Sequence, residues 1–557
     1  MNARQQAQLW ATNPYFDPDT RQKAQEAQGD AEALLAAFGS HLSFGTGGLR
    51  GVLGTGTARM NIYTVGRATL GLARYLKHLS PEPSVVIAHD SRHGAEAFTA
   101  VTAGVLASLG IRAHVFPELA PTPMLSFAVR MLHADAGVMI TASHNPAVYN
   151  GYKVYGPDGC QITDQAGADI TAQIEQCAYT DPRPLTEEDA RRNGLWLEVA
   201  DALRRSFAQA CLFCRPDPEL SAPIRVVYTP LNGTGLKPVE EVLSPMQGVS
   251  ISKVEAQCPP DGDFPTCPKP NPELDETLQL GLAQAAEEEA DLLLATDPDC
   301  DRVGVAVRTP DGAYKRLSGN EVGLLMMQYM LEARKRQNLL SSKSTVVKTI
   351  VTSDLAFAMA KDYGVQVREV LTGFKYIGEV ISQLEAAGRE NGYVFGFEES
   401  CGYLPGTHVR DKDGVSACML VCEMAQRCKA DGITLWDALQ RLYRRYGYLG
   451  TRLMDFEIGG ALPMEEMRAT MARLRQHPLM QLAGHAVTGA KDYQPGLDGL
   501  PPSNVLAFTA GPVKAIVRPS GTEPKVKVYL SALADSAPEA DALLDALETD
   551  IHAALRS

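Results

Sequence analysis

The chain has 557 residues, a length that suits roughly three to five domains of ordinary size. It is 45% hydrophobic and 21% charged, with 48 Gly and 35 Pro, a balance that excludes low-complexity, collagenous and coiled-coil chains. The formal net charge of −14 speaks against nucleic acid or an anionic membrane as the main partner, and an anionic substrate would need local capture.

The opening Met1-Asn2-Ala3-Arg4-Gln5-Gln6 leads into polar sequence with no apolar signal core. The longest apolar run, near Val322 to Leu331, is about half of the ~20 residues a bilayer needs. A soluble, cytoplasmic protein, monomer or weak dimer, is expected. The first 80 residues are polar and then glycine-rich, and a β/α alternation follows.

Ser84-Val85-Val86-Ile87-Ala88 reads as a buried strand running out into His89-Asp90-Ser91-Arg92. A helix with Phe98, Val101, Val105 and Leu109 on one face stops at Gly110. Ile111 to Phe116 is the next strand. Thr122-Pro123 suits an N-cap and first helical position. Ala136 to Ile140 is a third strand, ending at Thr141-Ala142-Ser143-His144-Asn145-Pro146. Tyr149-Asn150-Gly151-Tyr152 reads as a hairpin turn with Lys153 on the return strand.

Eleven cysteines are scattered along the chain, so a disulfide scaffold is not expected. Cys211 and Cys214 have C-x-x-C spacing, but no second ligand pair at zinc spacing accompanies them. They continue the stripe Leu203, Phe207, Ala210, which predicts a core helix, and Cys418 with Cys422 reads the same way.

Two more buried strands deliver polar loops: Asp291 to Thr296 into Asp297-Pro298-Asp299-Cys300-Asp301-Arg302, and Tyr393 to Phe397 into Glu398-Glu399-Ser400. Because open α/β sheets bind ligands beyond the carboxyl ends of their strands, three α/β domains facing one cleft are expected. Met464, Met467, Met471 and Leu474 mark an amphipathic helix, and Gly489 to Ser503 is a turn-rich loop. Val513 to Val517 leads into Arg518-Pro519-Ser520-Gly521-Thr522-Glu523-Pro524, and alternation resumes at Val526, Val528 and Leu530. This last part predicts a separate α+β domain.

Asp297, Asp299 and Asp301 place three carboxylates at alternate positions in a tight loop, a set that can converge on one hard cation. An EF-hand from Asp297 fails, since Arg302 and Arg308 stand where Gly and Glu are required. Without a cation the carboxylates would repel one another. Ser143 and His144 lack the G-x-S-x-G elbow of a hydrolase, but next to a metal loop a phosphoryl-carrying Ser is plausible. Arg518 to Thr522 offers a guanidinium, two hydroxyls and glycine backbone to a phosphate. Glu398 and Ser400 offer acceptors to sugar hydroxyls. Phe44-Gly45-Thr46-Gly47-Gly48-Leu49-Arg50-Gly51 is neither G-x-G-x-x-G nor a phosphate-binding P-loop.

In this order the segments resemble the α-D-phosphohexomutase superfamily of phosphoglucomutases and phosphomannomutases, over nearly the whole chain. Phe397 to Tyr403, Tyr228 to Gly233 and Asp411-Lys412-Asp413-Gly414 look most like the branch containing phosphoglucomutase 2 and phosphopentomutase. The resemblance implies three related α/β domains with mixed sheets sandwiched by helices, plus a smaller C-terminal α+β domain, around a central cleft. The expected divisions are 1–212 with the phosphoserine loop, 213–320 with the metal loop, 321–445 with the sugar-binding loop and 446–557 with the phosphate-binding loop.

It further implies an isomerase interconverting glucose 1-phosphate and glucose 6-phosphate through a phosphoserine and a sugar 1,6-bisphosphate. Ser143 would carry the phosphoryl group and, with Asp297, Asp299 and Asp301, hold Mg²⁺. Glu398, Ser400, Arg302, Arg410, Arg518, Ser520, Gly521 and Thr522 would bind substrate, and Arg50 would lie near the phosphoserine. Lys153, Lys375 and His144 are the alternatives for the acid/base; some relatives carry a His where this chain has Phe374-Lys375. Phosphopentomutase or phosphomannomutase activity is the alternative within the class. A Mg²⁺-dependent sugar phosphatase or a non-catalytic sugar-phosphate binder is the alternative outside it. The basic groups expected to draw the anion in are Arg50, Lys153, Arg302, Lys375 and Arg518.

Overall fold

The computed structural model describes residues 1–45, 47–458, 463–520 and 525–556. They fall into two units: residues 1–322 with 374–434, and residues 323–373 with 435–557.

The N-terminal region is more ordered than its polar composition suggests. Three short helices, Ala3–Thr12, Pro18–Ala27 and Ala31–Phe38, are each started by a side-chain cap from Asn2, Asp17 or Asp30. They pack around Trp10, whose ring stacks on Phe16 at 4.4 Å and meets Phe38 and Tyr63 edge-on. Few apolar residues are needed because the aromatics are large, which is why a period search passes over the region.

The first sheet of unit 1 has the strands β1 (Gly48–Val52), β2 (Ser84–His89), β3 (Arg112–Val115), β4 (Ala136–Ile140), β5 (Tyr149–Tyr155) and β6 (Trp196–Glu198). Their order is β1-β5-β4-β2-β3-β6. β4, β2, β3 and β6 are parallel, while β5 runs antiparallel to β4 and β1. The strands and helices read from the sequence reappear here, but Asn150-Gly151 is not a turn. It lies inside β5, and the turn falls earlier, closed by the Tyr149 amide donating to the Pro146 carbonyl at 3.0 Å. Gly151 is required because a Cβ would collide with the Thr141 carbonyl. Lys153 does lie on the return strand, paired with Met139.

The second sheet joins β7 (Ile224–Thr229), β8 (Val249–Lys253), β9 (Leu292–Thr296), β10 (Val303–Arg308) and β11 (Tyr314–Leu317) in the order β11-β10-β9-β7-β8. β7 is parallel to β8 and β9, whereas β9 to β11 are antiparallel. Unit 1 also holds the antiparallel pair Tyr393–Glu398 and Gly402–Leu404. The serine, aspartate and Glu398 loops therefore share one design. Each follows a fully buried strand and returns into an antiparallel partner.

Unit 2 contains the parallel strands Thr345–Thr349 and Gln366–Val370. It also contains an antiparallel five-stranded sheet ordered Tyr448–Glu457, Lys525–Ala534, Val513–Pro519, Leu506–Ala510, Gly489–Asp492. The helices Pro463–Gln476 and Ala537–Arg556 supply Met467, Met471, Leu544 and Leu547 to its core. Along Lys525–Ala534 every second residue is buried, which leaves Lys525 and Lys527 on the wetter face. Among the described residues, no helix is long and apolar enough to cross a membrane.

Candidate active site

The site is assembled in unit 1 from the loops after β4 and β9. Ser143 sits two residues past Thr141 with φ of 52°, and its amide donates to Thr141 Oγ1 at 2.8 Å. Its hydroxyl donates to Asp297 Oδ2 at 2.7 Å, which joins loops 154 residues apart. Cys300 in the aspartate loop (φ 52°) and Cys401 after the Glu398 strand (φ 59°) are also left-handed. A non-glycine residue there costs about 1–2 kcal/mol, and strain held by its surroundings clusters at functional loops.

Arg92 holds the serine loop in place. Its guanidinium donates to the carbonyls of Ser143 and Asn145, each at 2.5 Å, and to those of Pro146 and Tyr149 at 2.9 and 3.0 Å. Asp90 balances it from 3.3 Å and accepts from Thr141 Oγ1 at 2.6 Å, and both charged side chains are fully buried. Burial pushes the Asp90 carboxyl up, against the pull of Arg92 and Thr141.

Asp297, Asp299 and Asp301 are at most 1% exposed, and one oxygen of each lies within 4.8 Å of the others. Gly233 allows the loop to seat, since a Cβ would collide with the Pro298 backbone. Asp299 Oδ2 accepts from Lys153 Nζ and Thr122 Oγ1, both at 2.8 Å. Thr122 is thus not the helix cap its sequence suggests. Pro121 takes that position, and the hydroxyl serves the aspartate loop. Lys412 Nζ stands 3.1 Å from Asp301 Oδ2, and Arg302 Nε stands 3.6 Å from Asp301 Oδ1.

Burial together with Asp299 and Asp301 pushes the Asp297 carboxyl well up, and burial together with Asp299 also raises Asp301. Asp299 moves the other way: burial opposes its charge, but Lys153 outweighs burial. Burial would lower the Lys153 ammonium, yet Asp299 and Asp301 hold it above its ordinary value. His144 is pushed well down by burial and then by Arg302, with Arg50 and Lys153 adding to this, so it is neutral. Its Nδ1 lies 3.4 Å from Ser143 Oγ.

The donor set fits a hard divalent cation. Asp299 Oδ1 and both Asp301 oxygens are buried without an aligned hydrogen-bond partner, and three carboxylates beside a serine oxygen match the all-oxygen preference of Mg²⁺.

With this geometry in place, comparison with known proteins assigns the chain. The four domains of phosphoglucomutase/phosphomannomutase match in order. Alpha/beta/alpha domains I, II and III cover residues 41–180, 205–312 and 318–446, and the C-terminal domain covers 466–548. The chain belongs to the phosphoglucomutase/phosphomannomutase family. It is accordingly an isomerase, a phosphosugar mutase, with the family's four-domain α/β architecture of mixed sheets and helices. A phosphoglucomutase of Staphylococcus haemolyticus is 36% identical over 514 residues, covering 90% of this chain and 92% of the relative. A phosphoglucomutase/phosphomannomutase family protein from Burkholderia thailandensis shares the fold with a TM-score of 0.68 at 18% identity, covering 92% and 98%. The open form of the Paramecium phosphoglucomutase parafusin does so with a TM-score of 0.67 at 16% identity, covering 93% and 94%. The family is magnesium-dependent, and the aspartate triad is a group that could hold the metal.

Seven of the site residues expected from sequence meet. Ser143, His144, Lys153, Asp297, Asp299, Asp301 and Arg302 form one cluster through the contacts above. Arg302 Nη1 also donates to the Ser400 carbonyl at 3.1 Å. Glu398 is buried at the end of its strand, close enough to raise the Lys412 ammonium. Arg50, exposed on β1, acts on His144 through its charge.

Others are placed differently. Lys375 Nζ donates to Asp164 Oδ1 at 2.5 Å and lies beside the Tyr376 ring. Arg410 is a correction to the expected substrate set. Its side chain is fully buried, and the guanidinium donates to Glu385 Oε2, to the Thr407 and Val409 carbonyls and to Ser382 Oγ. It is therefore a structural tie and not a group facing a sugar phosphate. Arg518 and Ser520 belong to unit 2, where Arg518 pairs with Lys527 and the Ser520 amide donates to the Lys525 carbonyl. Gly521, Thr522 and Thr46 lie outside the described residues.

Sequence reasoning passed over Arg92, Asp90, Thr122 and Lys412. Asp90-Ser91-Arg92 lies at a strand's carboxyl end, the signal used for the other loops. Lys412 stands in the Asp411-Lys412-Asp413-Gly414 segment that carries the resemblance, and Thr122 has only a capping signature; neither says that its polar atom reaches a loop far along the chain.

Proposed function

We propose that this phosphosugar mutase interconverts glucose 1-phosphate and glucose 6-phosphate, with Ser143 carrying the transferred phosphoryl group and a sugar 1,6-bisphosphate as the intermediate. The observation behind the reading is the 2.7 Å hydrogen bond from Ser143 Oγ to Asp297 Oδ2. It brings an exchangeable nucleophile against the one all-carboxylate cluster among the described residues. Mg²⁺ held by Asp297, Asp299, Asp301 and an oxygen on Ser143 would supply charge neutralisation to the moving phosphoryl group.

The chain's own residues do the rest. The Arg92 clamp and the Thr141 hydroxyl fix the serine backbone, so the phosphoryl acceptor meets a positioned group. Arg302 and Lys412 counter negative charge at the triad. Lys153, charged in these surroundings, returns a proton to the sugar oxygen. As a base it would first have to give up the proton that Asp299 and Asp301 hold on it. His144, with Nδ1 3.4 Å from Ser143 Oγ, is a second proton acceptor there after Asp297, and Lys375 and Arg50 complete the proposed catalytic set. Glu398 and Ser400 would take sugar hydroxyls. Arg518, Ser520, Gly521 and Thr522 would take the phosphate that is not being transferred. The sugar must enter in two orientations, so these contacts are broad.

The test is to incubate the protein with Mg²⁺, catalytic bisphosphate and the 1-phosphates of glucose, mannose, glucosamine, ribose and deoxyribose. Isomerisation fastest on glucose 1-phosphate is expected. A faster pentose or mannose reaction overturns the substrate assignment. Phosphate release without isomerisation overturns the phosphoserine route.

A further inference from the structure

Away from the aspartate triad, unit 1 holds a second cluster of metal-ligating side chains. Cys211 lies at the end of helix Asp201–Leu212, with Cys214 just beyond it. His408 is in the loop after Gly402–Leu404, and Asp413 caps helix Gly414–Ala430. Cys211 Sγ stands 3.8 Å from His408 Nε2 and 3.5 Å from Asp413 Oδ2, and those two atoms are 2.8 Å apart. Cys211 and Asp413 have no exposed surface, and the His408 side chain is 8% exposed.

A tetrahedral zinc ion with sulfur at ~2.3 Å and nitrogen or oxygen at ~2.0–2.2 Å separates its ligand atoms by about 3.4–3.6 Å. Two of the three edges are already close to this. Only the His408–Asp413 edge has to open, by roughly half an ångström.

The surroundings are arranged for the same purpose. Asp413 Oδ1 accepts from the Val415 and Ser416 amides, so the carboxylate is oriented with Oδ2 toward the cluster. On the far side of the imidazole, Cys214 Sγ is 3.6 Å from Nδ1, where a metal-bound histidine needs an acceptor for its other ring proton. At Gly406 a Cβ would overlap Cys214 Sγ and come within 2.9 Å of His408 Nδ1. The C-x-x-C pair thus acquires its missing ligands from about 200 residues downstream.

We propose that Cys211 Sγ, His408 Nε2 and Asp413 Oδ2 bind one zinc ion, at a site separate from the magnesium triad. Sulfur and nitrogen donors select zinc there as firmly as oxygen donors select Mg²⁺ at the triad. On binding, the Cys211 thiol releases its proton to solvent and becomes the thiolate ligand. The proton shared by His408 Nε2 and Asp413 Oδ2 is released to solvent as well, so His408 binds through unprotonated Nε2 with its remaining ring proton on Nδ1, facing Cys214. The fourth position is left to water. The ion fastens the Cys211 helix end to the segment that carries Lys412, whose ammonium touches Asp301.

The test uses the full chain without a histidine tag. Elemental analysis after dialysis against Mg²⁺ buffer with trace Zn²⁺ should find about one zinc per chain. Co²⁺ added to the zinc-free protein should give a thiolate-to-cobalt charge-transfer band. Cys211→Ser and, as a second variant, His408→Asn should lose the band, with folding checked by circular dichroism. Cys214→Ser should keep it with roughly tenfold weaker zinc binding, and Asp297→Asn should keep it unchanged. The proposal is overturned by wild-type protein that takes up neither zinc nor cobalt with such a band, or by a band that survives Cys211→Ser. A band lost with Asp297→Asn, or a Cys211–Cys214 disulfide in freshly purified protein, overturns it as well.

Discussion

The two buried clusters of unit 1 solve opposite electrostatic problems. Around Asp297, Asp299 and Asp301 three like charges are packed together, and the cations that steady them are Arg302 of the same loop and Lys153 and Lys412 from elsewhere in the chain. Even so, three carboxylate oxygens have no aligned partner. Around Asp413 the charges are complementary, and neither His408 nor Asp413 has an orphaned side-chain atom among the described residues. The first cluster is incomplete without a cation, whereas the second is complete with a proton. A metal ion should therefore be functional at the triad and bracing at the thiol cluster, and the predictions test that division.

The largest effect is expected at Ser143. Ser143→Ala should lower mutase turnover by roughly 10⁴-fold or more, the scale of removing a covalent nucleophile. It should also abolish the phosphoprotein seen by intact mass after incubation with bisphosphate. Near-normal turnover would move the phosphoryl carrier elsewhere.

Next comes the triad. Asp301→Asn should reduce turnover by about 10²–10³-fold, the several kcal/mol that a bound metal contributes to transition-state charge. It should also erase the Tm increase that Mg²⁺ gives the wild type. Cys211→Ser should leave turnover close to wild type and erase only the Zn²⁺-induced shift. If the two variants behave alike, the division between the clusters fails.

Arg92→Lys keeps the charge beside Asp90 but cannot reach four carbonyls with a rigid fork. Turnover should fall about 10–100-fold, with KM changing little, because the serine loop loses its position and not its chemistry. Arg92→Ala leaves Asp90 buried and unpaired and should cost about 3–5 kcal/mol of stability in denaturant unfolding.

How much of this was legible follows from the same contrast. The triad could be read because its donors sit within five residues at the end of a buried apolar strand, and the strand order followed from β/α alternation. The thiol cluster was read only as a helix stripe. That is correct for Cys211, but His408 and Asp413 enter through tertiary folding alone. Thr122 looked like a helix cap because hydroxyl plus proline is the local signature, and its partner is in another domain. Arg410 looked available because sequence carries no burial for a charge that Glu385 neutralises. Local patterns reported which residues can do chemistry. Long-range packing decided which of them meet.

The smallest effect separates the clusters by pH. In chelator, the folded triad holds protons on Asp297 and Asp301 above the ordinary carboxylate value of 3.8, because burial and Asp299 raise both groups. The unfolded chain has already released them, so stability falls as pH rises from that value through the folded values, by at most about 1.4 kcal/mol per pH unit for each proton. Asp299 is shifted the other way, so its favourable contribution is complete above 3.8 and lost only in stronger acid. Lys153 and Lys412 are raised, so theirs is constant below 10.5 and lost as pH climbs through their folded values. Between mild acid and neutrality Asp297 and Asp301 thus contribute a downward slope, to which Asp90, also raised, adds and which His144, lowered, opposes. Mg²⁺ should flatten it by replacing the protons, and Asp301→Asn should reduce it by removing one of the two groups. Denaturant midpoints measured across that range with chelator and with Mg²⁺ give the check. An identical slope in both would mean that the cation does not compete with protons at these carboxylates, and the triad would then not be the magnesium site.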